Sequence, residues 1–393
     1  MRLVHLVPYY APAWSFGGVV HAVSGLAGAL AAQGHEVTVV TTDAGDGGAR
    51  LAPPEEMIDG VHVIRCRSLF LPLRRFNLST PLGLRAVLQA ALCGADALHV
   101  HEFRTVENLI GLPIARQLGV PVVLSPHGTL PYATGRSGFK RGWDALFGRW
   151  IARRVDHVIA LTAAEADDVR RLWGCLGVPL PEEHLDVVPN GVDPAAFSIL
   201  PPRQAFRERW GIPPDAPLVL FLGRLHERKG AHHLVEALSL MPGIWLMVAG
   251  PDEGQGAALR EQAGQLGVTE RAVFTGMLVG AEKLAALSGA DVLALPAVGE
   301  GLPMVVLEAL AAGLPVALSD GCHLPEVIEA GAGVRLEPLT AERIAEALAS
   351  LLADAGRRQE MVVRGRALVA ERFAWSRVAA RSLEVYERVS NGY

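Results

Sequence analysis

Two glutamates eight positions apart, Glu300 and Glu308, stand in the run Glu300-Gly-Leu-Pro-Met-Val-Val-Leu-Glu308-Ala-Leu-Ala-Ala-Gly313-Leu-Pro315-Val. A carboxylate can accept hydrogen bonds from two vicinal hydroxyls of a sugar or ribose. The apolar run 292–295 just before reads as a strand, so Glu300 falls on the loop at its carboxyl end. Pro303 suits the first turn of a following helix, where its missing N–H is no loss. Glu308 then lies inside that helix, and the helix start offers free amides and a positive dipole end to a phosphate. One glutamate on each side of a diphosphate could thus hold two different polyols. By spacing alone, an exposed loop glutamate and an ordinary amphipathic-helix glutamate explain the pair equally well.

A second cluster, Phe221-Leu-Gly223-Arg224-Leu-His-Glu-Arg-Lys229-Gly230, follows another apolar run. Gly223 permits close backbone approach, Arg224 offers a planar fork and Lys229 a mobile point charge, a combination suited to diphosphate. A merely solvated basic loop is the competing explanation, and His226 is expected to be exposed. Gly17 and Gly18 precede a helical stretch and suit an anion, a packed ligand or a simple tight turn. Their spacing is not that of a dinucleotide fingerprint. His127, in Ser-Pro-His127-Gly-Thr, lies just past the run 122–125. Glu102 lies at a neighbouring strand end, and His101 reads as structural.

The elements that must position these residues alternate from end to end. Strands are expected at 2–7, 36–41, 61–65, 97–101, 122–125, 157–161 and 186–188, with helices at 19–33, 81–92 and 106–117. The pattern then repeats, with strands at 218–222, 244–249, 272–274, 292–295, 315–318 and 334–336. Helices at 231–240, 257–266, 281–288 and 304–312 join them, and 341–352, 357–372 and 376–389 close the chain. Uniformly apolar strands joined by crossover helices imply parallel sheets covered on both faces. The fold class is therefore α/β with two doubly wound domains and a proline-rich seam within 189–217. Domains are expected at 1–195, plus a terminal helix 374–393, and at 196–373. A cleft between two such domains is the default ligand site.

The glutamate pair with its Ala-Leu-Ala-Ala-Gly-Leu-Pro-Val tail resembles the hallmark of retaining glycosyltransferase family 4. That resemblance implies the GT-B fold: two Rossmann-like domains facing across a cleft, with a C-terminal helix crossing back to the first. It implies that Glu300 contacts donor-sugar hydroxyls, that Glu308 binds the ribose, and that Arg224 and Lys229 neutralise the leaving diphosphate. Gly17 and Gly18 would face the diphosphate, and His127 the donor sugar and reacting centre. Gly250, and Gly276 with Met277, match nucleotide-side loops, the second near the base. Many members carry Phe-Gly where this chain has Leu302-Pro303. Amide contacts there would come from Gly301, Leu302, Met304 and Val305. Val-Pro-Asn-Gly-Val-Asp193 is similar to the interdomain crossover and Phe373-Ala-Trp375 to the start of the terminal helix.

The implied activity transfers a hexosyl unit from a UDP- or GDP-sugar to a glycan or lipid-linked acceptor, with retention, in surface polysaccharide or glycolipid assembly. No Asp-x-Asp motif is present, so no essential metal or other cofactor is expected. A GT-B-like epimerase or phosphorylase and a non-catalytic two-lobed sugar-binding protein are the alternatives. A glycosidase is disfavoured because it leaves the phosphate-like loops unexplained.

Composition narrows the remaining classes. Lys and Arg total 36 against 41 Asp and Glu, a net charge of −5 over 393 residues, which argues against a nucleic-acid binder. Mean hydropathy is +0.28, yet no uninterrupted apolar window reaches about 18 residues. The N-terminal run is too short and broken for a signal-peptide core, so a cytoplasmic location is expected. Cys66, Cys93, Cys175 and Cys322 lie far apart and read as buried reduced thiols. Phe139, Trp143, Phe147 and Trp150 form one helical stripe within 136–154, flanked by six basic residues and one acid, Asp144. Such a helix either packs its stripe on the sheet or lies on an anionic membrane surface at the inner face of the cytoplasmic membrane.

Overall fold

The computed structural model describes residues 1–70 and 78–392. The chain divides into two compact units, one of Met1–Gly191 with the C-terminal helix from Trp375, the other of Val192–Ala374.

In the first unit the strands run in the order Glu55–Ile58, Val61–Ser68, Glu36–Thr42, Arg2–Leu6, Ala97–His101, Val122–Ser125, His157–Ala160 and Leu185–Val187. All pair in parallel except Glu55–Ile58, which is antiparallel to Val61–Ser68, as is the short Pro81–Leu82. The central strands are buried throughout, as parallel strands covered on both faces must be. The strand Glu55–Ile58 is absent from the sequence expectation because half its residues are polar. Its signal was the turn Asp59-Gly60, where both residues take positive φ (49° and 79°), the geometry of a two-residue hairpin. Gly83 at φ 78° likewise splits the expected helix 81–92 into an extended Pro81–Leu82 and a helix Leu84–Ala91.

The C-terminal helix Trp375–Asn391 packs on the helix Gly18–Ala32 of the same unit. Gly25 makes this approach possible, since a Cβ there would lie 2.1 Å from the Trp375 indole.

The second unit has the strand order Ala272–Gly276, Trp245–Ala249, Leu218–Leu222, Val292–Leu295, Val316–Leu318 and Gly333–Arg335, all parallel. Numbered within the unit this is 3-2-1-4-5-6, the doubly wound order. Successive strands are laid down in opposite directions on either side of the first strand. The crossover chains diverge there, at the carboxyl ends of Leu218–Leu222 and Val292–Leu295, the place where open α/β sheets take their ligands. In the first unit the corresponding switch lies between Arg2–Leu6 and Ala97–His101. The helices start where side chains can take up orphan amides. Thr105, Thr162 and Asp354 each accept the N–H three residues on, at 3.2, 3.2 and 2.9 Å.

The aromatic stripe takes the packed alternative, and the cysteine expectation needs correction. The aromatic stripe within 136–154 is mostly internal: Trp143 belongs to the core, with Phe147 and Trp150 packed against it, and only Phe139 is exposed. Asp144 is buried in an ion pair with Arg104 at 2.7 Å, and Lys140 donates to the Pro131 carbonyl. Of the cysteines, Cys66 and Cys322 are buried but Cys93 and Cys175 are exposed. Among the described residues no helix is long and apolar enough to cross a membrane.

Candidate active site

At the switch point of the second unit, two loops leave adjacent strands and are tied to each other. After Leu222, the Gly223 amide donates to Ala249 O at 3.0 Å and the Leu225 amide to Pro251 O at 2.8 Å. His226 has a role the sequence did not suggest. Its Nδ1 accepts the Arg228 amide at 3.1 Å and caps the single turn Glu227–Lys229. Gly230 then turns at φ 76°, so close to the neighbouring loop that a Cβ would lie 2.0 Å from Pro296 O. The Val298 amide donates to Arg228 O at 2.8 Å, and the Arg228 side chain donates to Gly299 O.

This stitching delivers Lys229 to Glu300. Lys229 Nζ lies 2.6 Å from Glu300 Oε2, with the two side chains 15% and 14% exposed. The backbone of Glu300 is anchored at both ends: its amide donates to Gly321 O at 2.8 Å, and its carbonyl accepts His323 Nδ1–H at 2.8 Å. The carboxylate can turn toward a ligand hydroxyl while its main chain stays fixed.

Glu308 sits on the helix Met304–Ala312 and accepts Lys283 Nζ at 2.7 Å. Pro303 is the residue before this helix, with extended geometry, and not a member of its first turn. The Val306 amide returns to Pro303 O at 3.0 Å, which leaves the amides of Met304 and Val305 ahead of the helical ladder. Gly301 and Leu302 complete the loop, and Leu302 is buried.

Arg224 is the exposed member of the cluster, paired through Nη1 with both Glu253 oxygens at 2.9 and 3.0 Å. Gly250, at φ 152°, presses on the same loop: a Cβ there would lie 1.8 Å from Gly223 O. The Gly250 amide in turn donates to Gly276 O at 2.8 Å, and Met277 beyond it is exposed. Gly223, Gly250 and Gly276 thus form one backbone ledge across three strand ends. Asp252 holds the ledge's rim by accepting the amides of Gly254, Gln255 and Gly256, which keeps its carboxyl below the usual range.

In the first unit, Gly17 caps the helix that begins at Gly18, with φ 93°. A Cβ at either glycine would meet nothing within 4 Å, so backbone conformation and not crowding explains Gly17. His127 and Glu102 both occupy left-handed backbone, φ 55° and 65°, at adjacent strand ends. Such positions are uncommon outside glycine and Asn, and mark a turn that its surroundings hold in place. Glu165 does the holding here: its carboxylate accepts the amides of Gly128 and Leu161. Burial pushes the Glu165 carboxyl up to about 7 even so. His127 Nε2 lies 2.9 Å from His101 Nδ1, and His101 Nε2 lies 3.0 Å from His5 Nδ1. Burial lowers the pKa of His127 to about 4 and of His5 to about 3.

Nothing in the local sequence marks Glu253, Glu165, Lys283 or His5 as site residues, and His101 reads there as structural. Some signal existed. His99 and His101 alternate along one strand, which puts two imidazoles on one sheet face. The chain also has just three lysines, Lys140, Lys229 and Lys283, and two of them meet the two motif glutamates.

Comparison with known proteins gives consistent results. Residues 202–368 match the family described as "Glycosyl transferases group 1", and residues 16–196 match "Glycosyltransferase Family 4". The D-inositol 3-phosphate glycosyltransferase of Xylanimonas cellulosilytica is 33% identical over 75% of this chain and 72% of its own. Sucrose-phosphate synthase of Thermosynechococcus elongatus superposes with a TM-score of 0.77 at 24% identity, over 100% of this chain and 99% of the other. HepE of Anabaena, solved with UDP and glucose, superposes at 0.75 with 19% identity, over 98% and 99% of the two chains.

Proposed function

Because the chain belongs to the group 1, family 4 glycosyltransferases and has the GT-B fold, we propose that it moves a hexosyl unit from a nucleoside-diphosphate sugar to an acceptor hydroxyl with retention of configuration. The observation that carries the reading is the Lys229–Glu300 pair at the switch point, with the Glu308–Lys283 pair on the next helix. A cation and a carboxylate held 2.6 Å apart and mostly out of water form a site that exchanges partners when an anionic phosphate and neutral hydroxyl donors arrive. Lys229 turns to the diphosphate, and Glu300 accepts hydrogen bonds from the sugar. Glu308 takes the vicinal ribose hydroxyls, while Arg224 and the amides of Met304 and Val305 share the phosphate charge.

Chemistry then follows from where charge develops. The bond from the anomeric carbon to the phosphate oxygen breaks, and negative charge grows on the diphosphate. Lys229 and Arg224 are placed to meet it, which lowers the barrier without a protein nucleophile. The acceptor oxygen bonds to the same face of the anomeric carbon, and its proton passes to the departing phosphate oxygen. The products are the glycosylated acceptor and the nucleoside diphosphate. His127 contacts the donor sugar.

A UDP-sugar is the favoured donor, since the HepE structure was solved with UDP and glucose; GDP-sugars are the alternative. The acceptor is a glycan or lipid-linked hydroxyl in surface polysaccharide or glycolipid assembly. Exposed Arg136, Arg141, Arg149 and Arg153, beside exposed Phe139 and Leu146, support peripheral contact of 136–154 with an anionic membrane surface. Co-sedimentation with anionic liposomes at low salt checks that contact, and failure to sediment removes it.

The donor reading is tested by calorimetry with UDP, GDP, ADP and their sugars on the wild type, Lys229→Ala and Glu308→Ala. Binding of one nucleotide that both substitutions weaken is expected. Unchanged binding in both variants would sink the assignment.

A further inference from the structure

The described residues hold a line of three imidazoles, of which the glycosyl-transfer reading uses only the outermost, His127. His5 Nδ1 lies 3.0 Å from His101 Nε2, and His101 Nδ1 lies 2.9 Å from His127 Nε2. His5 and His101 are buried, on neighbouring parallel strands, with their rings stacked at 10°. A fourth imidazole, His99, stands beside the line but is engaged elsewhere, through Tyr386 Oη at 2.7 Å and Ser125 Oγ at 2.9 Å. His127 is the outermost ring, held in left-handed backbone by the Gly128–Glu165 bond. A small cavity lined by His99, His101, Ser125 and His127 lies under the C-terminal helix at Trp375 and Ser382.

A neutral imidazole carries one N–H, so each internal bond in such a line commits the next. If His101 donates to His127, its Nε2 is bare and His5 must donate to it. If His127 donates inward, His101 must donate to His5, and the remaining N–H of His5 sits on Nε2. Only these two arrangements keep both bonds. His5 Nε2 is buried without a hydrogen-bond partner. The inward arrangement would strand a donor there, and orphaned buried N–H groups are rarer than under-satisfied acceptors. The outward arrangement also presents an N–H, not a lone pair, toward a ligand rich in anionic and hydroxyl oxygens. Burial keeps these rings uncharged near neutral pH, so the one-proton accounting applies.

We propose that His101 and His5 are positioning residues that set the tautomer of His127, making it an Nδ1–H donor to an oxygen of the bound donor sugar and not a general base. This rests on the reading of His127 as a donor-sugar contact. The sheet register makes the line: His5 pairs with His99 across the strands, and His101 with Ser125, which brings His5 and His127 to opposite sides of His101.

The test is the tautomer itself. Imidazole 15N NMR of the ligand-free, EDTA-treated full chain should show His127 as a single neutral tautomer with the proton on Nδ1. His101→Gln offers one acceptor to His5 and one donor to His127, so it should keep that tautomer. His101→Leu should release His127 to a mixture dominated by Nε2–H. Turnover should follow the tautomer, with kcat falling about tenfold in His101→Leu, the worth of one hydrogen bond, and recovering in His101→Gln, while the donor KM changes little. A wild-type His127 protonated on Nε2, or present as two tautomers, overturns the proposal. So does stoichiometric metal in the purified protein, which would make His5, His99 and His101 ligands instead. Equal kcat loss in both variants also overturns it. Because the NMR arm needs no substrate, it reads independently of the calorimetric test of the donor site.

Discussion

Lys229 Nζ sits 2.6 Å from Glu300 Oε2, and the bond joins two loops 71 residues apart at the point where the second sheet reverses its strand order. Neither side chain is fully desolvated, so the pair is held by the loops more than it holds them. Lys229→Ala removes the charge proposed to face the leaving group, and kcat is expected to fall about 10²–10³-fold, the usual cost of one lost electrostatic contact in a transition state. It also leaves Glu300 without its cation, so the melting temperature should drop. The double variant Lys229→Ala/Glu300→Ala should recover most of that stability and none of the activity. Steady-state rates and thermal melts of the three proteins decide it.

The two glutamates should separate by assay. Glu308→Ala is expected to weaken binding of the free nucleoside diphosphate by about tenfold or more, the worth of a charge-assisted hydrogen bond. Glu300→Ala should leave that binding within a factor of about two and lose turnover, because its proposed hydroxyl partners are on the sugar. Titration with nucleotide alone, then with the intact donor, distinguishes the two roles. Equal losses of nucleotide affinity in both variants would contradict it.

Glycines 250 and 17 differ in why they are glycine. At Gly250 a methyl group would lie 1.8 Å from Gly223 O, so Gly250→Ala must push the two strand-end loops apart. A loss of stability above about 2 kcal/mol is expected, with donor affinity falling alongside. At Gly17 there is space, and only φ 93° opposes a side chain. Gly17→Ala should cost about 1 kcal/mol. Urea titrations of both variants give the comparison.

Acid should destabilise the first unit before it affects the second. Burial holds His5 at about 3 and His127 at about 4, against an ordinary value of 6.5 that unfolding restores. Between those limits the unfolded chain binds protons that the folded chain refuses. The stability these groups contribute is therefore complete above pH 6.5 and is lost as the pH falls toward 4 and 3. Each such proton costs about 1.4 kcal/mol per pH unit. Melting temperatures should not fall between pH 7.5 and about 6.5, where Glu165 with its raised carboxyl takes up a proton in the folded chain. They should fall from there to pH 5, with His5→Phe flattening that lower slope by about one proton. A slope unchanged by that substitution would be inconsistent with the burial described.

Among the described residues of the first unit, Arg104 and Asp144 form the most buried ion pair, 6% and 4% exposed, with Arg104 also donating to the carbonyls of Thr129 and Leu130. Arg104→Ala strands the Asp144 charge in the core, and a loss of about 3–5 kcal/mol is expected. Replacing both residues with apolar ones of similar volume should cost far less. Denaturant midpoints of the single and double variants check this.

The paired sheets, nearly all strand positions and the loops bearing Arg224, Lys229, Glu300 and Glu308 were legible in the amino-acid sequence. The reason is that a strand buried on both faces must be apolar at every residue, and a loop at its carboxyl end announces itself by glycine and charge. Short, half-polar pieces such as Glu55–Ile58 escaped because their only signal was a two-residue turn. What tertiary structure alone decided is who meets whom. Lys283 and Glu308 are 25 residues apart, His5 and His101 are 96 apart, and Arg104 and Asp144 are 40 apart. No local pattern encodes those partners, because strand order and register set them, and a sheet's register is a property of all its strands together. The types of residue needed for phosphate and sugar were written along the chain; the pairing of each carboxylate with its lysine, and of His127 with a buried line of imidazoles, came only with the fold.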